Sequence, residues 1–348
     1  MNDLPSLKVT IGIMTYNRPD FLREAVQSVL QQTYADFELI ISNDYTEGQV
    51  TSDSLGISHG ARVKIVNQEQ TLGEIQNMNF LLENATGEWF VWLADDDLLH
   101  PEFLKLAGKS ILNSQDKNIV GFYSNYIAAD TPEEVFPAAL KSGKYKYYSS
   151  SGFLIDYVSR KCPLVGCYGL MHTDTLRKVG GILSLGNGFS PYADILIPVL
   201  LAEHGNLCWL DEPLVFLRTH AESESCRSSD FSAFTSAEED FLEHMKRVCS
   251  ADTVNAGSEK ILAELLKWFA ENEWVVLCRT PSLNKFSAFI QFIKYQVSVH
   301  LKRLTYSHRI NHICFIFYLI GSSLIHSAFS KSRNILEGIQ SRPKKSSG

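Results

Sequence analysis

The stretch Trp89-Phe90-Val91-Trp92-Leu93-Ala94-Asp95-Asp96-Asp97-Leu98-Leu99-His100-Pro101 decides how the rest of the chain reads. Its first five residues form a short, aromatic, apolar run after a glycine-containing turn, the pattern of a buried strand. Three carboxylates follow at the strand's end, where like charges disfavour one another's ionisation. A hard divalent cation with oxygen ligands relieves such a cluster. Mg²⁺ or Mn²⁺ characteristically bridges one or two carboxylates to a substrate's phosphates. A second reading fits the stretch taken alone: the aspartates turn the chain and cap a helix starting near Pro101.

The residues before it add context. Lys8–Met14 (KVTIGIM) has a strand pattern, and Thr15-Tyr16-Asn17-Arg18-Pro19 is a loop. From Asp20 to Gln31, the apolar residues Phe21, Leu22, Ala25, Val26, Val29 and Leu30 recur at helical spacing. Phe37–Ser42 is a second strand, ending in Asn43-Asp44-Tyr45-Thr46-Glu47-Gly48. Val63–Val66 is a third, Gly73–Leu82 a helix and Glu88–Leu93 a fourth strand. This alternation predicts an α/β fold with a mostly parallel sheet flanked by helices. Ligands of such sheets bind beyond the carboxyl ends of the strands. Thr15, Asn17, Arg18, Asp44, Asp95 and Asp97 are therefore expected to converge. No Gly-x-Gly-x-x-Gly follows the first strand, and there is no Gly-Lys-Ser/Thr loop. A dinucleotide enzyme and a P-loop kinase are disfavoured on that ground.

With VTIGIMTY (9–16), FLREAVQSVLQQTYADFELIISND (21–44) and LGEIQNMNFLLENATGEWFVWLADDDLLHP (72–101) in view, the chain resembles glycosyltransferase family 2, of the kind that serves bacterial polysaccharide synthesis. The resemblance runs over roughly residues 7–222 and implies a GT-A fold. It implies that Asp44 contacts the base or ribose of a nucleotide-sugar. Thr15, Tyr16, Asn17, Arg18 and Asp96 join it at the donor, and Asp95 and Asp97 hold Mn²⁺ or Mg²⁺ on the donor diphosphate. Asn43-Asp44-Tyr45-Thr46 departs from the family's more usual Asp-Asp-Gly-Ser, with Tyr45 where a turn glycine is common.

Further along, Pro101–Leu112 reads as a helix and Val120–Ile127 as a strand. The polar, Tyr-rich segment Asp130–Ser151 reads as a solvated loop or a flap over the site. Phe153–Lys161 reads as a helix, Gly166–Met171 as a strand, and Thr173–Val179 as a helix stopped at Gly180-Gly181. Pro191-Tyr192-Ala193-Asp194 then opens an apolar helix. The resemblance places the acceptor base there; Ala193 stands where the family has Glu, and Asp194 remains. An acid favoured by the helix dipole is the plainer account of Asp194. Leu207–Leu210 is a strand, and Pro213–Arg218 leads to Thr219-His220, which resembles the family's Arg-x-His ending. His220 is thereby a third metal ligand or a diphosphate contact, roles open to neutral and protonated imidazole respectively. His59, His172 and His204 are given no role.

The expected domains are 1–222, catalytic, and 223–348, a helical C-terminal appendage. Ala221–Ser236 reads as a linker or loop. Ala237–Cys249 and Glu259–Asn272 read as amphipathic helices. The chain has 348 residues, 45% of them hydrophobic, enough for a large core. Residues 1–8 lack a signal peptide's apolar segment, so a cytoplasmic location is expected. The seven cysteines form no disulfide-like or zinc-like array, which fits a reducing compartment. From Lys285 onward there are ten Lys/Arg and one acid, so that stretch carries +9; the whole chain is −7, leaving −16 on residues 1–284. The apolar run Ile313–Ile325 lies inside the basic stretch. Its thirteen residues fall short of the roughly 20 a spanning helix needs. It is expected to pack on the protein or to lie on an anionic membrane surface. Nothing resembles a nucleic-acid reader.

The function expected is transfer of a sugar, with inversion, from a nucleotide-sugar of UDP type to a saccharide or lipid-linked acceptor. A nucleotidyltransferase and a non-catalytic sugar-nucleotide-binding protein on a related fold are the alternatives.

Overall fold

The computed structural model describes residues 6–57, 62–114, 118–130, 140, 143–187, 190–220, 230–250, 258–280, 284–304 and 308–320. Two compact units divide the chain, Met1–Ser258 and Glu259–Gly348.

The first unit opens with β1 (Val9–Thr15), α1 (Pro19–Leu30), β2 (Phe37–Asn43), a single turn α2 (Ser52–Leu55), β3 (Val63–Asn67), α3 (Glu74–Glu83) and β4 (Trp89–Ala94). Each strand follows its β-branched or aromatic run. In α1, Pro19 stands at the first turn, where no helical N–H is needed. Its buried Leu22, Ala25, Val26 and Val29 form one stripe against the sheet. β1 pairs in parallel with both β2 and β4, and β2 with β3. The register sets Thr15 beside Asn43 and Met14 beside Ala94. The carboxyl ends of these strands therefore finish level, which aligns the loops that follow them. In β4, Trp89–Leu93 are all buried, and the indole of Trp92 donates to the Met78 carbonyl at 2.9 Å.

The order continues with β5 (Leu98–Leu99), α4 (Phe103–Leu112), β6 (Ile119–Ala129), β7 (Tyr145–Tyr148), α5 (Ser150–Val158), a 3-10 turn (Gly166–Tyr168), β8 (Leu170–His172), α6 (Thr173–Lys178), α7 (Ala193–Ala202) and β9 (Asn206–Arg218). Among the described residues, nine strands form one sheet in the order β3-β2-β1-β4-β8-β6-β9-β5, with β7 also on β9. β6 and β9 run parallel; β8 is antiparallel to both its neighbours. The thirteen residues of β9 hold β7 along Leu207–Leu210 and β5 along Val215–Phe216. The sheet is thus largely parallel, a mixed α/β architecture of GT-A type.

Three details differ from the sequence expectation. Tyr145–Tyr148 is a strand within the segment read as a loop or flap. The hydroxyls of Tyr145 and Tyr147 reach the carbonyls of Leu106 and Ser110 on α4, which fixes that edge. The run expected as a strand at Gly166–Met171 is a 3-10 turn followed by β8. The first unit also extends past residue 222 to take in α8 (Phe231–Ser250). Phe234 and Phe241 of α8 pack edge-on to Tyr192 at 5.8 and 6.5 Å between ring centroids.

The second unit is helical: α9 (Ser258–Arg279, whose first residue closes the first unit), α10 (Lys285–Tyr295), a π turn (Gln296–His300) and a helix over 308–320. A buried polar chain joins its helices. The Gln296 amide donates to Glu273 at 2.6 Å, and its oxygen lies 3.0 and 2.8 Å from ring nitrogens of His300 and His312. No helix among the described residues is long and apolar enough to cross a membrane. The expected apolar run is described to residue 320; its remainder, the tail that follows and residues 221–229 of the expected linker lie outside the described residues.

Candidate active site

The level ends of β1 and β4 set Thr15 and the three aspartates side by side. Thr15 Oγ1 donates to Asp95 Oδ2 at 2.7 Å, and the Tyr16 N–H reaches the same oxygen at 3.3 Å. Asn17 adopts a left-handed backbone, φ 55°, which turns the chain so that Arg18 points back at the acids. Arg18 Nη1 lies 3.2 Å from Asp95 Oδ1 and 2.9 Å from Asp96 Oδ2. His220 Nε2 meets Asp96 Oδ2 at 2.9 Å, its ring tilted on Phe21 at 5.1 Å. Asp97 Oδ1 accepts from the Arg218 N–H at 2.8 Å, and Asp97 Oδ2 accepts from the Tyr168 hydroxyl. The Arg218 side chain donates to the Asp96 carbonyl at 3.0 Å and pairs with Glu24.

Seven of the expected site residues are therefore knit into one network: Thr15, Tyr16, Arg18, Asp95, Asp96, Asp97 and His220. All three aspartates are buried. Burial is the first cause that pushes Asp95 up, and the Asp96 charge adds to it against the Thr15 hydrogen bond and the Arg18 charge. Burial and the Asp96 charge push Asp97 up to about 7, although the Tyr168 and Arg218 hydrogen bonds favour its anion. Anions held so far from water are ligands that a cation would relieve.

Buried in this way, Asp95 and Asp97 have the chemistry of hard oxygen ligands for a divalent ion. Among the described residues, Asp95, Asp97 and His220 do not bring three ligand atoms within 4.8 Å of one another. The arrangement is a two-carboxylate platform, of the kind that substrate phosphates complete.

Asp44 joins this network only through its backbone, its N–H donating to the Thr15 carbonyl at 3.0 Å. Its two oxygens accept from the Leu72 and Gly73 N–H groups at 2.6 and 2.8 Å, so it anchors the entry to α3. Gly73 has φ +85°, open to glycine and strained for other residues. The neighbouring Tyr45 stands edge-on to Tyr16 at 5.3 Å, and Tyr16 is 55% exposed. Two aromatic rings thus border the space between Asp44 and the aspartates.

Asp194 sits half-buried in the first turn of α7. Burial pushes it up to about 6 against hydrogen bonds from the helix's own N–H groups. It is tied to the aspartates through the turn Gly166–Tyr168. A Cβ on Gly166 would lie 1.8 Å from the Asp194 carbonyl oxygen, so only glycine lets this turn lie against α7. Two residues on, Tyr168 reaches Asp97. Between them, the Cys167 thiol is pushed well up, first by burial and then by the charges of Asp194, Asp97 and Glu74.

Sequence reasoning assigned no role to Tyr168, Arg218 or Glu24. Tyr168 was signalled only by its flanking glycines, Gly166 and Gly169. Arg218 stood inside the Arg-x-His ending, without any mark that its backbone N–H would be the group in use.

The chain that carries this geometry is similar to a group of known proteins. The family model for Glycosyl transferase family 2 matches residues 10–152. Over that segment the chain is similar to glycosyltransferase family 2. An uncharacterized glycosyltransferase of Rickettsia felis is 30% identical over 122 residues, which cover 35% of this chain and 20% of that protein. The match spans between 19% and 37% of the length of the rickettsial relatives. An uncharacterized glycosyltransferase of Haemophilus influenzae is 23% identical over 303 residues, 85% of this chain and 99% of that protein. Among solved structures, S. aureus TarS 1–349 superposes with a TM-score of 0.62 at 15% identity, covering 92% of each chain. The same protein in complex with UDP-GlcNAc gives 0.56 at 16% identity, again over 92% of each. These likenesses establish a shared fold.

Proposed function

We propose that the protein transfers a sugar from a nucleotide-sugar to an acceptor hydroxyl, in the synthesis of a cell-surface polysaccharide. The observation that carries this reading is the buried carboxylate platform, Asp95 and Asp97, at the carboxyl ends of parallel strands. A nucleoside diphosphate brings the phosphate oxygens and negative charge that such a platform, loaded with a cation, accommodates. A UDP-sugar is the donor class favoured, since a protein of the same fold was solved with UDP-GlcNAc.

In this reading Asp95 and Asp97 would hold Mn²⁺ or Mg²⁺, and His220, now against Asp96, is a diphosphate contact or would turn from Asp96 to become the third ligand. The ion would supply positive charge to a departing nucleoside diphosphate. Asp44 and the Tyr16–Tyr45 pair receive the nucleoside. Thr15 and the Tyr16 N–H fix Asp95, while Asn17, Arg18 and Asp96 face the diphosphate. Asp194 takes the proton of the acceptor hydroxyl as that oxygen attacks the anomeric carbon. The C–O bond forms as the bond to the diphosphate breaks on the opposite face, a single displacement with inversion. Burial suits Asp194 to this work, because a base titrating near 6 is ionised at neutral pH yet accepts a proton more readily than an ordinary carboxylate. The acceptor is a saccharide or a lipid-linked saccharide, and an anionic membrane surface is the further partner of the C-terminal region.

The test is a screen of nucleotide-sugars by product mass, with and without Mn²⁺, using saccharide and lipid-linked acceptors. Metal-stimulated sugar transfer from one nucleotide-sugar is expected. Turnover of nucleoside triphosphates instead, or donor binding with no turnover, would overturn the reading in favour of a nucleotidyltransferase or a non-catalytic binder.

A further inference from the structure

The second unit carries an apolar face on the wrong side of a helix. In helix 308–320, His312 and Ile316 are buried, at 1% and 4% exposure, one turn apart. They mark the side that packs on the unit. Ile310, Ile313 and Phe317, spaced i, i+3 and i+7, share the opposite side and are 46%, 39% and 67% exposed. Tyr318 adjoins them at 71%, and the free thiol of Cys314 is exposed in the same stripe. An exposed helix face in a water-soluble protein is ordinarily polar; a clustered apolar one marks an interaction surface. The preceding helical run repeats the pattern. Ala288, Phe292 and Gln296 face inward, while Ile290 and Val297 stand outward with the exposed Lys294 between them.

Charge decides what covers such a face. Between Trp274 and Ile320 there are six Lys/Arg and no Asp or Glu. Lys294, Lys302 and Arg309 are exposed, and Arg309 lies one turn before Ile313. A second copy of the same basic face would meet repulsion. A nucleic acid would take up the cations and leave the isoleucines and Phe317 in water. An anionic lipid surface satisfies both halves: headgroups meet the cations, and the acyl boundary takes the apolar side chains.

We propose that the outer face of helix 308–320, centred on Ile313 and Phe317 and flanked by Arg309, Lys294 and Lys302, docks on an anionic lipid surface. This deepens the membrane partner proposed above and does not depend on the donor chemistry. The helix lies in the interface plane rather than across the membrane, because the apolar run Ile313–Ile325 has thirteen residues where a span needs roughly 20.

The experiment is flotation of the full chain with vesicles of phosphatidylcholine alone, or of phosphatidylcholine with 30% phosphatidylglycerol, at roughly 0.05 and 0.5 M salt, where screening lengths differ about threefold. Flotation with the anionic vesicles at low salt is expected, weakened at least tenfold by high salt and by omission of phosphatidylglycerol. Ile313→Asp/Phe317→Asp should lower binding at least tenfold with an unchanged melting curve. Phe317→Asp alone, at a largely exposed position, is the second variant should the double one fold poorly. Lys294→Gln/Lys302→Gln should lower binding severalfold. The idea is overturned by any of three results: no flotation at low salt, equal flotation with neutral vesicles, or Asp variants that float like the parent chain. It is also overturned if sedimentation shows a dimer that the Asp variants dissociate while neither form floats, for then a second copy covers the face. Sugar transfer to a water-soluble acceptor, measured on the same preparations, is expected to survive the Asp substitutions. The membrane reading and the enzymatic one can therefore fail separately.

Discussion

The Tyr168 hydroxyl donates to the Asp97 carboxylate across 71 residues of sequence. The same hydroxyl accepts from the Ala94 N–H at 3.3 Å, at the end of β4. One phenol thus fixes both the strand end and the carboxylate that follows it. Burial and the nearby Asp97 charge push the phenol well up, so it stays a donor. Partners of this kind hold a metal-binding carboxylate in one orientation and tune its basicity.

Tyr168→Phe should therefore leave the fold in place and weaken the response to metal. The expected result is a Mn²⁺ half-saturation raised about 10–100-fold, the usual effect of removing a group that orients a ligand. Transfer assayed against Mn²⁺ concentration, alongside a thermal melt, checks it. An unchanged Mn²⁺ curve would show that Tyr168 only packs.

Asp97→Asn should separate activity from stability. Metal-stimulated transfer is expected to vanish, because an amide is a poor substitute for a carboxylate ligand. Stability in chelator should move the other way. Asp97 titrates at about 7 in the fold against an ordinary value of 3.8. A raised value means that the folded state favours the protonated form. The stability this confers is complete below the ordinary value and is lost as pH rises through about 7. A neutral Asn avoids that loss, so at pH 8 in EDTA the variant should melt higher, by roughly 2–4 °C for each kcal/mol relieved. The gap should close near pH 4. A variant that melts lower than the parent at pH 8 in EDTA would show that the Asp97 anion is well stabilised by Tyr168 and Arg218.

Much of the fold was legible because its parallel strands are buried on both faces and read as apolar runs. VTIGIMT, FELIIS and WFVWLA are such runs, and the alternation with helices predicted where their ends would meet. Tyr145–Tyr148 was not legible: four residues with Lys146 among them carry too little alternation, and the contacts that fix them come from α4. The helix Phe231–Ser250 was expected in part, from Ala237, and its face of Phe234, Phe241 and Met245 is buried. No local pattern says which unit such a face covers. In the site, Asp95, Asp97 and Asp194 stood out as acids at the ends of elements. The contacts among them did not, since Arg218 acts through its backbone N–H and Tyr168 reaches Asp97 through a turn with no periodic signature.

Asp194→Asn should cost roughly 10²–10⁴ in turnover, the range of a general base, and leave donor affinity nearly unchanged. Burial sets Asp194 at about 6, so turnover in the parent enzyme should fall about tenfold per pH unit below that value. That acidic limb should be missing from the residual activity of the variant. A pH–rate profile with a donor-binding titration decides the matter. Equal losses in binding and turnover would make Asp194 a binding residue and leave the base to be reassigned.

Gly166→Ala tests whether the spacing between the base and the carboxylate platform matters. The added Cβ would sit 1.8 Å from the Asp194 carbonyl oxygen and 3.2 Å from Pro198 Cδ. Neither atom can swing aside, since both belong to the frame of α7. Either that helix start or the turn bearing Tyr168 has to move. Forcing an extra carbon into a packed site costs typically 1–3 kcal/mol, so a measurable fall in melting temperature is expected. Turnover should fall further than stability, because a displacement of about 1 Å of a reacting group costs on the order of a hundredfold in rate. Donor affinity should fall less than turnover, since Thr15 at the end of β1, and Arg18 and Asp44 on the loops after β1 and β2, lie outside the turn that the substitution displaces. Turnover, donor affinity and melting temperature measured together separate the two effects. Should turnover stay at the parent level despite a lower melting temperature, the separation between Asp194 and Asp97 does not govern the reaction, and the turn is a packing device only.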